Sequence, residues 1–356
     1  MVVCVCPIAA DVGVGVLKSG GNAVDAAIAV AFAEAVTWPE AGNIGGGGFM
    51  LVANGTEATF FDYREAAPAL ATKTMFADGK IDFRSHQSAG VPGTVRGMEL
   101  AHKRFGTKPW KDLLAPAVKL AAGFPVDTPL AKRINDVLKD PKTTNAEFRR
   151  IFGREWEAGD TLKQPELAKT LAGIAEHGAD WFYTGPPAEQ LEAEMKAEGG
   201  LIRKSDLAKY AAKERKPLFG TYRGYEIVAA PPPSSGGTAI LESLNILEQF
   251  NVSKHPRHSP ETVHLLAEVQ RRAFRDRAEF LGDPEFTTIP EHLTSKEYAK
   301  KLAMTIDMGR ATKSESLAGT IPITEMGGNT THFSIVDKNG LCVSNTYTLE
   351  MNFGSR

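Results

Sequence analysis

Three cysteines in 356 residues, at Cys4, Cys6 and Cys342, are too few and too oddly placed for a disulfide framework, so the sequence leaves the redox compartment open. Long hydrophobic runs are missing as well. The most apolar stretch, residues 26–36, falls short of the roughly 20 residues that span a bilayer and carries Glu34, which makes it a core helix rather than a membrane segment. Charge of one sign is also lacking: 41 basic against 43 acidic side chains leave −2, so nothing points to a nucleic-acid groove or a polybasic membrane anchor. No basic region with a cleavage site precedes Val2-Val3-Cys4-Val5-Cys6-Pro7, which reads as an opening strand, and so no signal peptide is read.

Several catalytic signatures are absent too. There is no His-Glu-x-x-His; His255 and His258 flank Pro256, and His332 has no cysteine ligand nearby, so no metal is expected. Ser234-Ser235 lacks the Gly-x-Ser-x-Gly elbow of a serine hydrolase. The glycines at 45–48 lead into a strand without a Gly-Lys-Ser/Thr ending, which removes the helix N-terminus a phosphate cradle needs and favours close backbone packing. No cofactor is expected.

What is present is a chain with 42% apolar residues, enough for a large core, in which helical and strand patterns alternate. Asn22 is a natural N-cap for the apolar helix that follows. Residues 97–200 read as a mainly helical lobe, and residues 220–228 read as a strand. Helices are expected over 238–250, 264–281 and 296–304, the second with Arg271, Arg272, Arg275, Asp276 and Arg277 on a solvated face. Residues 306–326 read as a polar tether.

The most informative segment is Gly327-Gly328-Asn329-Thr330-Thr331-His332-Phe333-Ser334-Ile335-Val336-Asp337. A threonine hydroxyl becomes a useful nucleophile when a base takes its proton, and one such base is the residue's own α-amino group once the preceding peptide bond is cut. The glycines would give a self-cleaving bond its freedom. From local residues alone, the plainer reading is a Gly-Gly-Asn turn entering a strand whose threonines serve β-propensity. Asn339-Gly340 then separates two alternating runs, a strong hairpin signal. With those two residues as the turn, Lys338 faces Leu341, Thr330 faces Leu349, and Thr331 faces Thr348, placing the Thr348 hydroxyl within a residue of Thr330.

Thr330-Thr331-His332-Phe333-Ser334-Ile335-Val336-Asp337 with Thr346-Tyr347-Thr348-Leu349 resembles the subunit junction of the γ-glutamyltranspeptidases. The segments Gly20-Gly21-Asn22-Ala23-Val24-Asp25-Ala26-Ala27, Gly45-Gly46-Gly47-Gly48-Phe49-Met50, Asp62-Tyr63-Arg64-Glu65-Ala66-Ala67-Pro68, Gly90-Val91-Pro92-Gly93-Thr94-Val95 and Pro231-Pro232-Pro233-Ser234-Ser235-Gly236-Gly237 agree in order. The resemblance implies an N-terminal-nucleophile hydrolase: an α/β (α+β) fold, a four-layer αββα sandwich, incomplete in this chain. It implies a precursor cut between Asn329 and Thr330 into a large subunit, residues 1–329, and a small subunit beginning with residues 330–356.

On that likeness Thr330 is the nucleophile, Thr348 hydrogen-bonds it, and Arg64 grips the donor's α-carboxylate through a planar fork. Glu350 stands where the family usually has an asparagine that binds the α-amino group. A carboxylate can still pair with an ammonium, so donor preference is affected more than reaction type. The family's serine pair and oxyanion-hole glycines would lie beyond Arg356, so the chain is expected to be most of a precursor.

The implied partners are a γ-glutamyl donor such as glutathione and water, an amino acid or a peptide as acceptor. The same likeness allows a cephalosporin (glutaryl) acylase, a γ-polyglutamate-processing enzyme, or an unprocessed pseudoenzyme acting as a binding module. Family members are typically exported, which implies a periplasmic or extracellular site that the sequence itself does not decide.

Overall fold

The apolar run becomes a central helix because both its start and its surface are specified. In the computed structural model, which describes the chain except residues 56, 141–142, 320 and 322–327, helix α1 (Pro7–Lys18) is followed by α2 (Ala23–Thr37). Asn22 Oδ1 accepts from the Val24 and Asp25 amides at 2.9 Å, and Asp25 returns a bond to the Asn22 amide, satisfying donors that a helix start leaves open. All fifteen residues of α2 are buried. It packs against α1, against α4 (Trp110–Ala121, after α3, Thr94–Phe105), and against the terminal hairpin.

Among the described residues ten short strands are formed: β1 (Val2–Val3), β2 (Gly47–Asn54), β3 (Glu57–Tyr63), β4 (Phe124–Pro125), β5 (Thr161–Leu162), β6 (Lys213–Arg215), β7 (Leu218–Tyr222), β8 (Tyr225–Ala229), β9 (Thr330–Val336) and β10 (Cys342–Thr348). Six of them make one sheet in the order β1-β9-β10-β2-β3-β6. The opening strand is shorter than expected, since Pro7 sits in the first turn of α1, where its fixed φ and missing N–H suit a helix start.

The expected hairpin forms with a different register. Val336 pairs with Cys342 and Thr330 directly with Thr348. Asp337 causes the shift: its carboxylate accepts from the Asn339 and Leu341 amides, its own amide donates to Leu341 O at 3.0 Å, and Gly340 takes φ +85°. The loop therefore holds three residues with a left-handed glycine instead of two, and the ladder slips by one.

The chain divides into two compact units, one of Met1–Glu57, Phe61–Glu214 and Gly327–Arg356, the other of Ala58–Phe60 and Arg215–Met326. In the first, α3 and α4 are followed by helices Thr128–Leu138, Ala146–Phe152, Pro165–His177, Ala179–Thr184 and Pro186–Ala197, interrupted by the β4–β5 pair.

In the second unit, the single strand expected at 220–228 is a hairpin, β7 with β8, because Arg223 and Gly224 both adopt left-handed φ, 50° and 87°, and turn the chain. Helices Gly236–Leu247, Pro260–Phe280 and Lys296–Ala303 enclose a small core of Ile246, Leu265, Val269, Ala299 and Ala303. The charges of Pro260–Phe280 are not all solvated: Glu268, Arg272 and Asp276 are buried, with Glu268 and Arg272 paired at 2.8 Å. Of the expected tether, Ser314–Ala318 is a short helix, while residues 320 and 322–326 and junction glycine Gly327 lie outside the described residues. Among the described residues no helix is long and apolar enough to cross a membrane.

Candidate active site

The three-residue loop sets Thr330 opposite Thr348, with their hydroxyl oxygens 3.2 Å apart. Thr348 Oγ1 also donates to the backbone carbonyl of Asn329 at 2.6 Å and accepts from the Glu350 amide at 2.8 Å. A hydroxyl has one proton. Because Thr348 gives its proton to Asn329 O, Thr330 must be the donor between the two threonines. The arrangement thus polarises the carbonyl preceding Thr330 and offers an acceptor to the Thr330 proton. The Asn329 amide donates to Glu350 O at 2.7 Å, which fixes the other edge of that residue.

Behind Thr348, Asn43 uses all its polar capacity. Its Nδ2 donates to Thr348 O and Ala41 O, and its Oδ1 accepts from Gly46 N and the Thr94 hydroxyl. The glycine run is explained by the same closeness: a Cβ on Gly46 would lie 2.0 Å from Thr348 O, and one on Gly48 2.3 Å from Thr346 O. Close packing, as expected, is what these glycines serve. Asn43 itself was missed; its signal is an asparagine opening a glycine-rich turn.

Arg64 follows the end of β3, its amide bonded to Asp62 Oδ1 and its carbonyl to the Tyr210 hydroxyl. Its guanidinium lies 3.5 Å from Glu65 and 3.8 Å from Glu350. Burial pushes the Glu65 carboxyl up, and Arg64 opposes that shift. Glu350 has φ +66°, a left-handed backbone that asparagine tolerates far better than glutamate. Holding a glutamate in this conformation therefore costs about 1 kcal/mol in local strain.

Glu34, noted in the sequence only as a charge in an apolar run, lies fully buried against β9 and β10. Its Oε2 meets the hydroxyls of Thr331 and Tyr347, each at 3.2 Å, and burial pushes its carboxyl up to about 7. On the open face of β9, His332 contacts Thr346 Oγ1 and Ser334 Oγ, and burial lowers its pKa.

The hairpin thus gathers Asn329, Thr330 and Thr348 at hydrogen-bond distance, and Arg64 joins them through Glu350. Residues 9–356 match the family model described as Gamma-glutamyltranspeptidase. The chain is 46% identical over 367 residues to the glutathione hydrolase proenzyme of Escherichia coli (strain K12), covering 100% of this chain and 63% of that protein's length. The crystal structure of Helicobacter pylori gamma-glutamyltranspeptidase is similar with a TM-score of 0.85 at 39% identity, covering 92% of this chain and 97% of that one. The cephalosporin acylase structure from Bacillus halodurans is similar with a TM-score of 0.88 at 29% identity, covering 99% of this chain and 66% of that one. These relatives carry the expected α/β sandwich of the N-terminal-nucleophile hydrolases. With the family model matched along nearly its whole length, this chain belongs to the gamma-glutamyltranspeptidase family.

Proposed function

We propose that the protein is the precursor of an enzyme that transfers or hydrolyses γ-glutamyl groups of glutathione-like compounds, after cutting itself between Asn329 and Thr330. The observation that carries this reading is the chain of bonds from Thr330 Oγ1 to Thr348 Oγ1 to Asn329 O, at 3.2 and 2.6 Å. In the cut, Thr330 Oγ1 bonds to the Asn329 carbonyl carbon, the Thr348 hydroxyl stabilises the oxygen that gains charge, and the C–N bond breaks as its nitrogen takes the threonine proton. Water then hydrolyses the resulting ester, leaving an Asn329 carboxylate and a free Thr330 amine.

That amine serves as base when Thr330 attacks the donor's γ-carbonyl, and passes the proton to the departing amine. Water or an amino acid or peptide acceptor releases the acyl group. Arg64 holds the donor's α-carboxylate and Glu350 its ammonium. An exposed pair such as Arg64 with Glu350 is worth only about 0–1 kcal/mol, so a donor carboxylate displaces it readily.

Glutaryl transfer, suggested by the cephalosporin acylase likeness, is the second reading. Glu350 disfavours it, since a glutaryl group lacks the ammonium that would use this carboxylate. The test is N-terminal sequencing of the full-length protein's small fragment, which should begin at Thr330, with Thr330→Ala staying uncut. Cutting at this bond in that variant would overturn the reading.

A further inference from the structure

Residue 329 is held at its amide by Glu350 O and at its carbonyl by Thr348, which leaves its side chain to account for. The Asn329 Nδ2 is buried and completes no hydrogen bond. Facing it is the carboxylate of Glu40, just past the C-terminal end of α2 and fully buried. A buried donor left open carries a penalty, and a small closing movement onto the Glu40 carboxylate, whose oxygens have lone pairs beyond those facing Arg133, would remove it.

Glu40 is anchored for such a role. Arg133 of the helix Thr128–Leu138 donates to its Oε2 at 2.7 Å, lies 2.6 Å from its Oε1, and stacks over the Trp38 ring at 5.1 Å. The Glu40 carbonyl accepts from the Phe353 amide, so the same residue also holds the turn after Glu350.

We infer that Glu40, fixed by Arg133, is a positioning residue for the self-cleavage: it receives the Asn329 side-chain amide and thereby holds the Asn329 carbonyl against the Thr348 hydroxyl. The inference rests on the proposed cut and adds the group that orients the bond to be broken. Burial opposes the charge on Glu40, while Arg133 and the neighbouring Asn329 amide favour it, consistent with a carboxylate that accepts from both.

The test is a cycle of cutting rates measured by intact mass on full-length wild type, Glu40→Gln, Asn329→Asp and the double variant. In wild type, Asn329→Asp sets two carboxylates face to face and should slow cutting by roughly tenfold or more. Glu40→Gln alone keeps a carbonyl acceptor and should slow it by less than about threefold. In the double variant the glutamine amide can donate to the new carboxylate, so the slowing caused by Asn329→Asp should largely disappear. Restored cutting cannot come from a misfolded chain, which makes the double variant its own folding control. Equal slowing by Asn329→Asp in both backgrounds, or no recovery in the double variant, overturns the assignment of Glu40. A wild type that stays as one intact mass, like Thr330→Ala, overturns the proposed cut itself and this assignment with it.

Discussion

On the helix Pro260–Phe280, Glu268 and Arg272 are 1% and 3% exposed with 2.8 Å between them; beside the Thr330 hairpin, Arg64 and Glu350 are 46% and 64% exposed and 3.8 Å apart. The buried pair is closed on every side. Glu268 also accepts from the Thr312 amide and hydroxyl, and Arg272 donates to Thr305. Burial raises the Glu268 carboxyl, yet Thr312 and Arg272 more than offset it and hold the group at about 2. The exposed pair has no such shell. Water competes for both partners, so Arg64 is available to a ligand carboxylate in a way that Arg272 is not. The contrast separates an ion pair that is sealed into the structure from one that is open to exchange with solvent or a ligand.

The largest effect should come from opening the buried pair. Glu268→Gln leaves Arg272 buried with its charge uncompensated and should lower unfolding free energy by about 3–5 kcal/mol, read by denaturant titration. A loss below about 1 kcal/mol would put this pair in the same class as the exposed one.

Glu34 sharpens the comparison, because among the described residues its buried carboxyl meets hydroxyls and a thiol and no cation. The neutral form is favoured by folding, so its contribution is full below the ordinary carboxyl range near 4.5 and is lost as pH rises until the folded group ionises near 7. Relative to Glu34→Gln, the wild type should therefore lose about 3 kcal/mol between pH 4 and pH 8. Parallel stability curves for the two proteins would show that the hydroxyls of Thr331 and Tyr347 suffice to carry the charge. Glu268, depressed instead of raised, keeps its contribution above the ordinary range and loses it as pH falls toward about 2.

The smallest effect belongs to the exposed pair. Arg64→Lys keeps the charge and loses the two-pronged geometry, so kcat/KM for a γ-glutamyl donor on the processed enzyme should fall about tenfold. Unchanged kinetics would make Arg64 an ordinary solvated charge.

Features written in local residues were legible in the sequence. Asn22 as a cap, the apolar run of α2, the glycine packing and the Asn339-Gly340 hairpin all depend on neighbours a few positions away. The register was not legible, because the Asp337 carboxylate widens the loop through side-chain bonds that turn residues alone do not reveal. The Arg223-Gly224 turn was missed because arginine rarely takes left-handed φ. Glu34, Glu40 and Asn43 owe their importance to partners far along the chain, such as Thr331 for Glu34 and Thr348 for Asn43. Periodicity likewise does not say which neighbour covers a helix face, which is why Arg272 and Asp276 read as solvated.

The central claim is that the Thr330–Thr348–Asn329 chain of bonds is set for a cut before Thr330. The most direct measurement is the intact mass of full-length wild type and Thr330→Ala, incubated side by side, with N-terminal sequencing of any small fragment. The account predicts two fragments from wild type, the smaller beginning at Thr330, and one uncut chain from the variant. A single intact wild-type chain, or a variant cut at the same bond, would contradict it.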